Sequence, residues 1–336
     1  MPPKFKRKLS KILLKIKIPL LILGVICLLG LIISLKPKTK PSFWWSVLFS
    51  NPLKNTFSWT NILLLGVPGG DHEGSDLTDT MIFLGFNQNN GKTVLISFPR
   101  DLWSETLRAK INSAYHYGEE KKSGGGLVLA KSIIEEITDQ PIHYAVKIDF
   151  RGFIKIIDLL GGVEIEVERA FDDYKFPIEG KENDPCDGDP EYKCRYQHIH
   201  FDKGRQLLNG EKALQYVRSR NAEGDEGTDF GRSKRQQKLI LSLKDRIFSP
   251  EFLFKPKTIA QLIKILPGVI ETDIDEKDLP YFGKMIIKIN FAEIKTLSLE
   301  EFLISPPAWQ YGQWVLVPQT GDFSKIQEYI KEQILE

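Results

Sequence analysis

The chain is 336 residues long, 42% hydrophobic and 27% charged, a globular composition with apolar residues enough for one large or two smaller domains. Its 46 basic and 44 acidic side chains leave a net charge of +2, which excludes a chain drawn to nucleic acid by overall charge. Individual cations therefore matter by position, not by sum.

Residues 1–17 carry Lys4, Lys6, Arg7, Lys8, Lys11, Lys15 and Lys17 and no acid. Ile18–Leu35 follows without a charge, long enough for one membrane-spanning helix. The run ends in Ser-Leu-Lys-Pro-Lys rather than in a small-residue cleavage site, so the expectation is an uncleaved anchor. More cations precede the run than follow it at Lys36, Lys38 and Lys40, which keeps the N-terminus cytoplasmic and the body outside. The expected layout is a basic tail (1–17), an anchor (18–35), a juxtamembrane linker (36–57) and one extracellular domain (58–336). Cys27 falls in the span, whereas Cys186 and Cys194 share a polar segment. A disulfide is the favoured reading of that pair outside the cell, over free thiols or a metal site completed by His198 and His200.

Asn61–Val67 is an unbroken apolar run, as in a strand buried on both faces. It ends in the Gly-rich stretch Pro68–Asp76, which lacks the Lys-Ser/Thr of a phosphate loop. Thr80–Asn87 and Lys92–Phe98 are strand-like and joined through Gln-Asn-Asn-Gly, a strong hairpin signal. That hairpin brings Asp79 and Arg100 side by side, with Asp101 next. The pair is either a plain ion pair or a carboxylate for a divalent cation beside an arginine for phosphate oxygens. Residues 110–118 read as a loop. Gly125–Ile137 and Phe150–Leu160 read as helices, and Ile142–Asp149 and Val163–Val167 as strands. Beyond Ile247 come helix, turn and helix, then a late strand at Trp314–Val317 and a closing helix at Phe323–Ile334. The alternation predicts an α/β fold, an α/β/α sandwich with a central mixed sheet.

The stretch Gly210–Gln237 concentrates Arg218, Arg220, Arg232, Arg235, Gln236 and Gln237 around the polar loop Asn221–Gly227. Asn209 is positioned to cap a helix ending at Arg218, and Asp229 to cap the next. Arg232 and Gln236 share one side of that second helix. Arginines in a first turn oppose the macrodipole, so the stretch reads either as a solvated basic helix pair or as a site for a multiply charged anion.

The chain resembles the LytR-CpsA-Psr family of cell-envelope proteins. The resemblance rests on NILLLG, TDTMI, SFPRD, KINSAY, the glycines before the helix at 127, VKIDFRGF, DLLGGVEIEV, LNGEKALQYVRSR and DFGRSKRQQ, in family order over residues 60–245. It implies a phosphotransferase that moves a glycopolymer from a polyprenyl-pyrophosphate carrier onto peptidoglycan through a phosphodiester. By the same resemblance Asp79 binds Mg²⁺, and Arg100, Arg218, Arg220, Arg232 and Gln236 hold the pyrophosphate. The polyprenyl tail is expected in an apolar tunnel between sheet and helices. The family's second aspartate, near Val67 or Pro68, is missing, and Asp71 is the expected substitute metal ligand. Asp101 and Asp229 are the candidate bases. Residues 172–200 read as an insertion. A hydrolase using the same residues and a non-catalytic envelope-binding protein are the rival readings, and the outside topology speaks against DNA.

Overall fold

The unbroken apolar run near residue 61 forms the central strand of the molecule. In the computed structural model, the described residues are 52–335 apart from 71–73, 182, 248, 276, 280, 283–284, 286–288 and 290–293. The expected anchor, its basic tail and most of the linker therefore lie outside the described residues, as does Asp71. Among those described, no helix is long and apolar enough to cross a membrane.

In chain order the strands and helices are β1 (Trp59–Val67), β2 (Thr80–Asn87), β3 (Thr93–Ser97), β4 (Trp103–Ser104), β5 (Ala109–Lys110), α1 (Ala114–Lys121), α2 (Gly125–Thr138), β6 (Tyr144–Asp149) and α3 (Phe150–Leu159). There follow β7 (Val163–Val167), β8 (Phe171–Pro177), β9 (Tyr196–Phe201), β10 (Gly204–Leu208), α4 (Gly210–Arg218), α5 (Asp229–Ile247), α6 (Pro250–Leu253) and α7 (Pro256–Val269). The chain closes with β11 (Ile270–Thr272), β12 (Lys295–Leu297), β13 (Leu303–Ile304), β14 (Val317–Pro318) and α8 (Ser324–Leu335).

Six strands form one mixed sheet in the order β11-β6-β1-β2-β3-β12. Strand β1 is antiparallel to β2, with Gly66 opposite Thr80, and parallel to β6, with Val67 opposite Asp149. The sheet is mixed and carries flanking helices, as expected. One face sends Leu63, Leu65, Phe83 and Ile96 into a core with Ile133 and Ile137 of α2 and Ile326 and Ile330 of α8. The other face presents Ile62, Phe86 and Tyr144 buried, but Leu64, Leu84 and Val146 only partly buried. A second core, from Val163, Ile165, Phe171, Phe201, Tyr216 and Leu239, joins β7–β10 to α4 and α5.

Two expectations are corrected. Residues 110–118 are not a loop: a short turn at Ile111–Ser113 leads into α1. Tyr115 and Gly118 are buried there, and a Cβ on Gly118 would run into the backbone of Gly125. This glycine marks a close helix crossing, not a chain reversal. The late strand shrinks to β14, although Leu316 still bridges to Leu102.

Residues read as an insertion form a hairpin, β8 against β9. Cys186 and Cys194 are disulfide-bonded in its connection, so the thiol and metal readings of that pair fall away. His198 and His200 instead face Asp172 at 2.7 and 2.8 Å.

Candidate functional site

The β2–β3 hairpin places Asp79 and Arg100 at the same end, and Arg100 Nη1 donates to Asp79 Oδ1. Asp101 lies behind them, 4% exposed. Its Oδ1 accepts from Lys110 Nζ at 2.7 Å, and its Oδ2 from Arg220 Nη2 at 3.3 Å; Arg100 Nε is 3.5 Å from Oδ2. Burial pushes the Asp101 carboxyl up, but the bond from Lys110 and the charges of Arg100, Lys110 and Arg220 outweigh it. The net effect holds the group below its ordinary carboxylate value. Burial works against charge on Arg100 in the same way, and Asp79 and Asp101 together raise its pKa.

Helix α4 brings the next two cations. Asn209 caps it as expected, its side chain accepting from Lys212 N at 2.9 Å, and Arg218 ends it. The Arg218 guanidinium stacks over Phe150, 4.1 Å from the ring centroid, a contact that fixes the fork's plane without using its donors. Arg220 follows in a segment that sequence reasoning left floating. It is held by Asp173, a fully buried carboxylate on β8. Asp173 Oδ2 accepts from Ser219 Oγ at 2.7 Å and from the backbone N–H groups of Arg220 and Asn221, both at 3.2 Å.

Helix α5 supplies Arg232 and Gln236, both buried. The amide of Gly231 in its first turn is satisfied by Thr228 Oγ1 at 3.0 Å, one residue ahead of the expected cap at Asp229. The side chain of Asp229 lies outside the described residues. Gln236 Nε2 donates to Thr80 Oγ1 at 2.9 Å, which ties α5 to β2 beside Asp79. Arg235 points away from Arg232. Its Nε donates to Tyr216 O and its Nη1 to Glu226 O, both at 2.7 Å, and its Nη2 to Ser219 O. It thus closes the carbonyl end of α4. Burial lowers its pKa, opposed by Glu226, whose carboxylate lies 2.8 Å away.

Asp79, Arg100, Arg218, Arg220, Arg232 and Gln236 line one cavity of about 340 Å³. The β8–β9 hairpin closes one wall with Lys175, Pro177 and Tyr196. Among the described residues, five cations, Arg100, Lys175, Arg218, Arg220 and Arg232, face this cavity against the single carboxylate of Asp79. Such a lining suits a multiply charged anion. Asp101 does not line it, and the Cys186–Cys194 bond lies in the hairpin's connection.

Sequence reasoning missed Asp173, Lys175, Tyr196 and Lys110. The one available signal was Asp173 sharing the inward alternation of Phe171, an acid where a strand's period demands an apolar residue.

Fold and cavity define a class: a helix-flanked mixed sheet with an arginine-lined anion pocket at the strand ends. The chain matches the LytR_cpsA_psr family over residues 40–332 and belongs to it. The Bacillus subtilis polyisoprenyl-teichoic acid–peptidoglycan teichoic acid transferase TagV is 31% identical over 283 residues, 82% of this chain and 64% of that protein. The TagU transferase of Oceanobacillus iheyensis, of the same designation, is 30% identical over 220 residues, 64% of this chain and 59% of its own. The chain therefore spans less than two thirds of the length of these relatives. The crystal structure of B. subtilis TagV matches with a TM-score of 0.58 at 26% identity, over 83% of this chain and 98% of that one.

Proposed function

We propose that the protein transfers a glycopolymer from a polyprenyl-pyrophosphate carrier onto peptidoglycan, forming a phosphodiester. The convergence of Asp79, Arg100, Arg218, Arg220, Arg232 and Gln236 on one cavity carries this reading. Relatives named as teichoic acid transferases of peptidoglycan support it.

An acceptor sugar hydroxyl attacks the phosphorus that bears the glycan. The bond from that phosphorus to the bridging oxygen breaks, and polyprenyl phosphate leaves with the electron pair. The arginines clamp the pyrophosphate and neutralise charge that grows on the leaving oxygens, which is most of what such a displacement asks of a protein. Arg218 keeps its orientation through Phe150, and Arg220 through Asp173 at its backbone and Asp101 at its guanidinium.

Asp79, the one carboxylate lining the cavity among the described residues, fits a Mg²⁺ site of the kind held by one or two carboxylates and substrate phosphates. When bound there, Mg²⁺ supplies further positive charge to the phosphate oxygens. Asp101 faces three cations and is held below the ordinary carboxylate pKa, which makes it a poor proton acceptor. Its role is to position Arg100 and Arg220. The hydroxyl proton then passes to a phosphate oxygen or to water, as a loose transition state allows.

The lipid tail fits the second face of the sheet, where Leu64, Leu84 and Val146 are only partly buried among the described residues although they sit on central strands. An anchor at 18–35 would hold the domain at the outer membrane surface, near both substrates. A disulfide at Cys186–Cys194 is in keeping with that compartment.

The test uses full-length protein in detergent with lipid-pyrophosphate-linked oligosaccharide, peptidoglycan fragments and Mg²⁺, and mass spectrometry follows glycan on the acceptor. The expected result is an adduct that a chelator and Arg218→Ala abolish. Free glycan phosphate without adduct would instead make the protein a hydrolase, and donor binding without chemistry a carrier-holding protein.

A further inference from the structure

Next to the anion cavity runs a second and larger cavity, of about 700 Å³, within the ordinary range of ligand pockets of about 300–1,000 Å³. It lies between α5 and the β3–β12 edge of the sheet, closed by the chain around β13 and β14. Among its lining residues are Ser97, Gln237, Lys234, Ser298, Glu300 and Trp314.

Three observations bear on its occupant. The first is continuity with the reaction site. Pro99, which lines the groove, precedes Arg100 in the chain. Leu316, also in its lining, donates its N–H to Asp101 O at 3.0 Å and accepts from Trp103 N at 2.8 Å. Helix α5 serves both cavities, with Arg232 and Gln236 on one and Lys234 and Gln237 on the other. The second is an unpartnered polar group: Ser97 is 7% exposed, and its Oγ has no hydrogen-bond partner among the described residues. The third is an aromatic edge. Trp314 is 46% exposed where it lines the groove, with Lys110 Nζ 5.9 Å from its ring centroid. Tyr311 packs edge-on against Trp103 at 5.1 Å.

The lining also carries Pro99, Leu297, Leu299, Leu303 and Leu316; a hydrocarbon tail would suit these but leave the amide of Gln237 and the Ser97 Oγ unmatched, and a buried unmatched group is costly. A sugar ring meets both requirements, with an apolar C–H face for Trp314 and hydroxyls for the polar wall. We infer that this groove binds the acceptor glycan strand, with Trp314 stacking on a sugar ring and Ser97 bonding a sugar hydroxyl so that the next hydroxyl reaches the phosphorus beside Arg100. The inference rests on the proposed transfer reaction for its direction, but its test does not depend on turnover.

The test is equilibrium binding of a soluble tetrasaccharide of alternating N-acetylglucosamine and N-acetylmuramic acid to the full-length protein, followed by calorimetry. Binding of the lipid-linked donor is measured in parallel. Trp314→Ala is expected to weaken tetrasaccharide binding on the order of tenfold, with Trp314→Phe restoring most of it. Ser97→Ala is expected to weaken it about fivefold. Neither changes donor binding. Unchanged tetrasaccharide binding in both folded variants overturns the inference, and so does a loss confined to donor binding, which would give the groove to the lipid tail. Trp314-dependent tetrasaccharide binding by a protein that transfers nothing supports the groove and sinks the transferase reading instead.

Discussion

On β1, Leu63 and Leu65 enter the layer built by α1, α2 and α8, where both are buried almost completely. Leu64, between them, faces the other way and stays partly open, as do Leu84 and Val146. Among the described residues, the same strand therefore has one face closed by its own helices and one less completely covered. A central strand with helices on both sides ordinarily buries both faces. The first face serves stability, and the second carries Thr80, which joins α5 beside the anion cavity.

The sharpest break of that contrast lies in the cavity. Arg218→Ala should lower transfer by about 10²–10³, the cost of removing one donor from a charge-stabilising set, while leaving the melting temperature within a few degrees. Steady-state kinetics beside a thermal melt checks both halves. A folded, active variant would take Arg218 out of the chemistry.

Arg235, three residues from Arg232, should behave in the opposite way. Its replacement by alanine strips the partners from Glu226 and from the carbonyls of Tyr216 and Ser219. Removing one side of a buried charged network costs about 3–5 kcal/mol. Denaturant unfolding should show the loss directly, and residual folded protein should retain donor binding. Next comes the sheet itself. Leu63→Ala should cost about 2–5 kcal/mol and Leu64→Ala clearly less, since the second site already lacks part of its packing. Equal losses from unfolding curves would mean the two faces are equally filled.

Much of this was legible beforehand. Gln-Asn-Asn-Gly set the hairpin that pairs Asp79 with Arg100, and Asn209 marked the start of α4. What stayed hidden depended on partners distant in sequence. Arg232 and Arg235 look alike along the chain, and only the position of α4 makes one a cavity residue and the other a structural tie. Asp173 lies in a segment read as an insertion, yet it fixes the loop that carries Arg220. Residues 110–118 read as a loop in sequence, whereas Gly118 in α1 permits the close approach of two helices.

The smallest expected effect asks whether Asp101 is a base or an anchor. Its folded-state pKa lies below its ordinary value, 3.8. Its ionised form therefore stabilises the fold fully above about pH 4 and loses that contribution as the pH falls through the folded value. Asp101→Asn keeps the shape but removes the charge, so its stability should fall less steeply on acidification than that of the unaltered protein. A general base contributes about 10²–10⁴ in rate. Loss of an anchor shared by Arg100, Lys110 and Arg220 leaves Arg100 and Arg220 to hold phosphate, so the variant should lose less than about tenfold. The two roles also part in the pH profile of transfer: loss of a base removes its acidic limb, whereas loss of an anchor lowers the curve and keeps its shape.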